Sequence, residues 1–199
     1  MGKVLYSMNV SLDGYIEDQN GSIEFSAPDD DVHRQANEQA RQASAFLFGR
    51  RLYEVMEEPW TTAASRDDLP DVEAEFARAY VQTRRIVFSD TLQSVPVGVQ
   101  LVRSKDAVAE VTRLKQQTEG VLDLGGPTLA ASLVDLIDEF RLFVLPVVVG
   151  GGKPFFSARK KLELRLAEHR AFPSGTMYLR YERAPVGETT AGNRGSSRW

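Results

Sequence analysis

The stretch LDLGGPTLAASLV, residues 122–134, puts two adjacent glycines and a proline where an apolar strand pattern gives way to a helix pattern. A turn needs only one residue at positive φ, so a second glycine suggests that something must come close to the backbone. Glycines followed by the free N–H groups of a helix start suit a phosphate or pyrophosphate, and Pro127 fits a first helical turn, where no N–H is needed. A tight strand–helix turn in close packing would call for the same residues. A second cluster, FLFGRRLYEVM (46–56), ends a strand at Gly49 and opens a helix with Arg50 and Arg51. Cations oppose the dipole at a helix N-terminus, so a phosphate between the two would explain their placement, and guanidinium forks match its oxygens. Pairing with the nearby Glu54, Glu57 and Glu58 is the alternative. A third, IVFSDTL (86–92), sets Ser89 at the carboxyl end of a strand, as a phosphate-binding hydroxyl or a plain turn residue. In parallel sheets ligands bind beyond the carboxyl ends of the strands, and the three clusters together could hold a ligand with several phosphates.

Other groups are less directive. GGGKPF (150–155) resembles a P-loop only superficially, because Pro154 stands where that motif has Ser or Thr, and GGPTLA is not the G-x-G-x-x-G dinucleotide fingerprint. Lys153 could meet a phosphorylated sugar or be a solvated lysine. PDDDVH (28–33) offers Asp29, Asp30 and Asp31 as proton donors, although acids before a helix also serve as ordinary caps. Asp13 in SLDGY is a candidate for substrate contact or for turn formation with Gly14. His33 and His169 stand alone and cysteine is absent, so thiolate sites and disulfides are excluded and no metal centre is expected.

A chain of 199 residues with net charge −4 suits one domain and gives no reason to expect nucleic acid or an anionic membrane as partner. No apolar run approaches the roughly 18 residues of a membrane span. The N-terminus enters a strand pattern directly, so no signal peptide is expected, and a cytoplasmic setting suits a cysteine-free chain. Residues 1–184 read as one domain and 185–199, rich in Gly, Ser and Thr, as a disordered tail.

Positioning these groups requires a regular scaffold. Strands are expected at 3–10, 44–49, 84–89, 99–104, 120–124 and 139–149, with an antiparallel pair over 162–172 and 175–183. Helices are expected from Asp29 to about residue 43, at 50–58 with a stop at Pro59, at 70–83, at 105–118 with Val108, Val111 and Leu114 on one face, and at 128–136. A polar loop carries Trp60, which, like Tyr53, Phe155 and Phe156, reads as a packing residue. Strands alternating with helices indicate an α/β fold with a mixed, mostly parallel sheet flanked by helices in three layers.

The segments SMNVSLDGYIEDQNG, FGRRLYEVM, VFSDTL, LDLGGPTLAASLVD and LPVVVGGGKPFF occur in the order seen in the dihydrofolate reductase superfamily. They most resemble the branch of the reductase domain of the riboflavin-biosynthesis deaminase-reductase, over residues 3 to about 183. The resemblance implies an eight-stranded mixed sheet, NADPH as cofactor, a small-molecule substrate and, in many members, a homodimer. Carried onto this chain, it implies that Gly125 and Gly126 hold the pyrophosphate, often through a cis bond between them, with Pro127 and Thr128 at the same helix start. Arg50 and Ser89 would approach the 2′-phosphate, with Arg51 a second candidate there; Gly49 and Leu124 would also be cofactor-binding, Asn9 and Ile16 would border the nicotinamide, and loop 12–24 would act as a lid. Water or one of Asp29, Asp30 and Asp31 would supply the proton, and Asp13 and Lys153 could meet substrate. The implied activity is hydride transfer to a small heterocycle or sugar imine, as in a 5-amino-6-(5-phosphoribosylamino)uracil reductase. The alternatives are a dihydrofolate reductase and a non-catalytic nucleotide-binding protein of the same fold.

Overall fold

The structure is a computed structural model and describes residues 1–158 and 160–184; the expected C-terminal tail lies outside the described residues. Ten strands form two sheets: β1 (Lys3–Ser11), β2 (Tyr15–Glu17), β3 (Ala43–Gly49), β4 (Arg84–Phe88), β5 (Val99–Val102), β6 (Val121–Gly125), β7 (Glu139–Leu145), β8 (Lys153–Pro154), β9 (Leu164–Ala171) and β10 (Met177–Arg183). The main sheet runs β5-β4-β3-β6-β1-β7-β10-β9, and β2 pairs separately with β8. Every pair from β5 to β7 is parallel, whereas β10 is antiparallel to both β7 and β9. That is the mixed, mostly parallel sheet expected.

Alternation along the strands builds two cores. Leu47, Leu122, Leu124, Val4 and Tyr6 point to one face, under α4 (Ala107–Gln117) and α5 (Pro127–Ser132). Phe46, Phe48 and Val87 point to the other, under α1 (Asp30–Gln42), α2 (Arg50–Ala63) and α3 (Asp71–Gln82). Helices on both faces of the sheet make the three layers. Residue 123 lies between Leu122 and Leu124, so its side chain must face the α1 side.

Several boundaries differ from expectation for identifiable reasons. Helix α2 runs through Pro59 instead of stopping there. The missing N–H leaves only the carbonyl of half-exposed Val55 without its helical partner. Continuing the helix seats Trp60 against Phe76, ring centroids 4.5 Å apart, so Trp60 sits in the last turns of α2 and not in a loop. On α4, Val108 is exposed, and the buried stripe is Ala107, Val111 and Leu114. β7 ends at Leu145, where Pro146 cannot continue the ladder. Beyond it Gly150, Gly151 and Gly152 all have positive φ, at 75°, 146° and 134°. A Cβ on Gly152 would stand 1.9 Å from the carbonyl oxygen of Glu17. The glycine run is therefore a backbone turn that docks β8 on β2, and the sequence after it delivers Lys153 to the site.

Candidate active site

The carboxyl ends of β1, β3, β4 and β6 open into one cavity of about 730 Å³, within the range of small-molecule and cofactor sites. Its lining includes Gly49, Arg50, Ser89 and Thr91 at the ends of β3 and β4, and Gly125, Gly126 and Thr128 at the end of β6. It also includes Ser7, Asn9 and Asp123 from the sheet with Gln39 from α1 opposite them, and Ile16 and Lys153 from β2 and β8. The three clusters singled out in the sequence thus face one space.

The adjacent glycines have separate reasons. Gly126 has φ +100°, and a Cβ there would meet nothing closer than the Gly49 nitrogen at 3.7 Å, so backbone conformation selects it. At Gly125 a Cβ would lie 2.2 Å from Leu52 Cδ2, so the close approach is by the first turn of α2. A tight turn therefore accounts for Gly126 and close packing for Gly125, while both still line the cavity. No peptide bond among the described residues is cis, so the expected cis linkage between them is not present; the positive φ of Gly126 makes the turn. Leu124 is fully buried on the opposite face and does not line the cavity. Strand alternation presents Asp123 and Gly125 there instead.

Arg50 is held between two partners: Nε contacts Glu54 Oε1 at 2.7 Å and Nη1 donates to Thr91 Oγ1 at 2.7 Å. Ser89 is buried, and its hydroxyl accepts from the backbone N–H groups of Thr91 and Leu92. It builds the turn that presents Thr91 to Arg50 as well as lining the cavity. Arg51 turns toward the lid. Its Nη2 donates to the Gly21 carbonyl at 2.8 Å and its Nε lies 3.2 Å from Glu17 Oε1. Asn9 Nδ2 donates to the Ser26 carbonyl at 2.8 Å, fixing the far end of the same loop.

Three expected contacts fall outside the cavity. Asp30 and Asp31 are exposed at the start of α1, paired with Arg34 at 3.5 and 2.9 Å, while Asp29 caps the helix by accepting from the N–H groups of Asp31 and Val32. Their sequence position is that of a cap, and a cap points away from the helix flank that faces the sheet. Asp13 accepts from Ser11 Oγ at 2.6 Å and from the N–H groups of Val149 and Gly150 at 3.2 and 2.8 Å. Those donors hold its carboxyl below the usual carboxylate range, and they make it a clamp between the lid and the glycine turn.

The residue that sequence reasoning passed over is Asp123. It lies deep in the molecule yet keeps some accessible surface and lines the cavity. Burial pushes its carboxyl up to about 6, against the opposing pull of a 2.9 Å hydrogen bond from Gln39 Nε2 and the nearby charge of Arg141. Gln39 Oε1 faces Arg141 Nη1 at 3.3 Å and Ser7 Oγ at 3.4 Å, which fixes the amide with its nitrogen toward Asp123. Strands covered on both faces read as near-continuous apolar runs, so a lone acid in GVLDL was the available signal.

The match to known proteins agrees with this geometry. Residues 2–178 match the family model of the RibD C-terminal domain. The chain is 27% identical over 183 residues to the uncharacterized protein YyaP of Bacillus subtilis, covering 90% of this chain and 94% of that one. It is similar in fold to the Thermotoga maritima diaminohydroxyphosphoribosylaminopyrimidine deaminase/5-amino-6-(5-phosphoribosylamino)uracil reductase (TM-score 0.67, 16% identity), over 92% of this chain but only 57% of that one. It is likewise similar to the Enterococcus faecalis dihydrofolate reductase solved with NADP(H) (TM-score 0.62, 17% identity), over 92% of this chain and 98% of that one.

Proposed function

The chain belongs to the family of the RibD C-terminal domain, and from that premise we propose that it is an NADPH-dependent reductase of a small nitrogen heterocycle or sugar imine. One observation carries the reading: a single cavity joins Arg50, Ser89 and the two glycines to the space under α1 that holds Gln39 and Asp123. The residues fit a phosphorylated dinucleotide. Gly126 brings backbone without a β-carbon to the cavity wall, and Arg50, braced by Thr91, offers a guanidinium at the end that suits a 2′-phosphate. Helix α5 has six residues, so its dipole is small, and backbone N–H groups with the exposed Thr128 would do the holding. When bound, the reduced nicotinamide supplies the hydride.

The chain's own residues then have distinct tasks. Arg50 and Thr91 set the choice of a 2′-phosphate. Asn9 and Ile16 wall the side where the ring would lie, and the lid, fixed by Arg51 and Asp13, excludes water. Lys153 stands on the cavity with no carboxylate in ion-pair range among the described residues, which suits a phosphate on the substrate. Calorimetric titration with NADPH and NADH tests the reading. NADPH should bind, and Arg50→Ala should weaken it by about 1.5–3 kcal/mol, the scale of a charged hydrogen bond, with NADH nearly unaffected. Equal losses for both nucleotides would refute the assignment of Arg50, and failure of NADPH to bind the native chain would refute the reductase.

A further inference from the structure

The recess under α1 contains a carboxyl group that the binding of a dinucleotide does not require. Asp123 sits one same-face step before Gly125 on β6, so it lies deeper in the cavity than the backbone assigned to the pyrophosphate. Its strand neighbours in register are Phe46 on β3 and Leu5 on β1, and Ser7 follows Leu5 on the same face. α1 presents Gln39. The nearby charge in the sheet is Arg141 on β7, which is itself engaged by Glu139 at 2.6 Å, with Arg180 behind it at 3.4 Å. Asp123 forms no ion pair among the described residues. The cavity's other charged groups, Glu17, Arg50, Arg51, Asp90 and Lys153, belong to the lid, the start of α2, and the loops.

This arrangement has a direction. Gln39 Nε2 donates to Oδ2 of Asp123, and Gln39 cannot turn over without setting its nitrogen against Arg141. Of the two carboxyl oxygens, Oδ1 has no protein hydrogen bond among the described residues and remains available to a ligand in the cavity. A carboxyl so placed, beside aromatic walls from Phe46, Phe48 and Phe143, favours its neutral form and can carry a proton near neutral pH.

We propose that Asp123, oriented by Gln39, is the general acid of this site and protonates the nitrogen of a substrate C=N bond as its carbon is reduced. The inference rests on the reductase reading above and deepens it. The substrate carbon accepts a hydride from the reduced nicotinamide cofactor. The π pair of the C=N bond becomes an N–H bond with the proton of Asp123, leaving a carboxylate that regains its proton from water. The substrate gains two electrons, two hydrogens and no atom besides, and the cofactor is oxidised by the same two electrons. Gln39 is a positioning residue, acting only through Asp123.

The test combines two measurements on the full chain. The first is a carbon-detected NMR titration of the Asp123 carboxyl without ligands. The second is single-turnover oxidation of bound NADPH between pH 5 and 9, with dihydropterin and 5-amino-6-(5-phosphoribosylamino)uracil as probes. The carboxyl should titrate close to 6. The native rate should fall about tenfold per pH unit above that value. Asp123→Asn should be slower by about a hundredfold or more and independent of pH, with NADPH affinity within about twofold of native. Asp123→Glu should restore the pH slope. A carboxyl that titrates below 5, an unchanged slope in Asp123→Asn, or no reduction of either probe while NADPH binds would each overturn the proposal. Failure of NADPH to bind would sink the reductase reading itself, and so separates the two.

Discussion

At the scale of single residues, the site is a set of side chains with two jobs each. Ser89 builds a turn and faces the cavity, Asn9 anchors the lid and walls the recess, and Gly125 makes room for Leu52 and leaves backbone open. Asp123 has a cost that can be measured apart from any activity. Its folded value, about 6, lies above the ordinary aspartate value of about 3.9, so the folded state binds the extra proton. Its contribution to stability is therefore complete below about pH 4 and is lost as pH rises through 6. Asp123→Asn should be more stable than native at pH 8, by up to about 3 kcal/mol, and should lose that advantage near pH 4. Burial lowers His33 instead, which weakens the fold on acidification, but that effect is common to both proteins and cancels in the difference. Urea unfolding at the two pH values checks this, and a variant less stable than native at pH 8 would contradict it. The residues flagged in the sequence were those at loops and strand ends, where glycine, arginine and serine stand out by type. Asp123 escaped notice because its meaning depends on which face of β6 it occupies, and that required the register with β1 and β3.

At the scale of elements, the lid is the part whose design the sequence showed least. Two turn signals, Asp13-Gly14 and Asn20-Gly21, marked it as a loop, but its ties are tertiary. β2 pairs with β8, Asp13 accepts from the glycine turn, and Arg51 holds both Glu17 and the Gly21 carbonyl. Arg51 reads locally as a second phosphate ligand; it lines the cavity and also bridges α2 to the lid. Its side chain is mostly exposed, so its loss should cost the whole fold less than about 1 kcal/mol. Arg51→Ala should nonetheless speed hydrogen exchange of the amides in 17–22 by several-fold while leaving β6 unchanged. Equal exchange in that loop would mean that β8 and Asp13 hold the lid without it. The same lesson applies to Pro59. Local rules end a helix there, whereas the continued helix places Trp60 against Phe76 and His33, contacts that local rules do not carry.

At the scale of the whole molecule, strand order assembles the cavity. Placing β6 between β3 and β1 brings a glycine pair, an arginine pair and the first strand to one rim, although Asn9 and Gly126 are 117 residues apart in sequence (126 − 9). The alternating strand and helix patterns made the layered α/β class legible, and the lack of a helix pattern between the last two strand patterns, 162–172 and 175–183, made the antiparallel edge legible. The order itself, and therefore the recess between α1 and the sheet, is a property of long-range packing that local patterns do not carry. In the proposed function this rim binds NADPH with its pyrophosphate on Gly125–Gly126 and its 2′-phosphate beside Arg50. The most direct measurement is a crystal structure of the chain grown with NADPH. The pyrophosphate is predicted within hydrogen-bond distance of the backbone around Gly126, the 2′-phosphate against Arg50 and Thr91, and the nicotinamide between Asn9 and Ile16. A nucleotide bound elsewhere, or a 2′-phosphate directed away from Arg50, would contradict it.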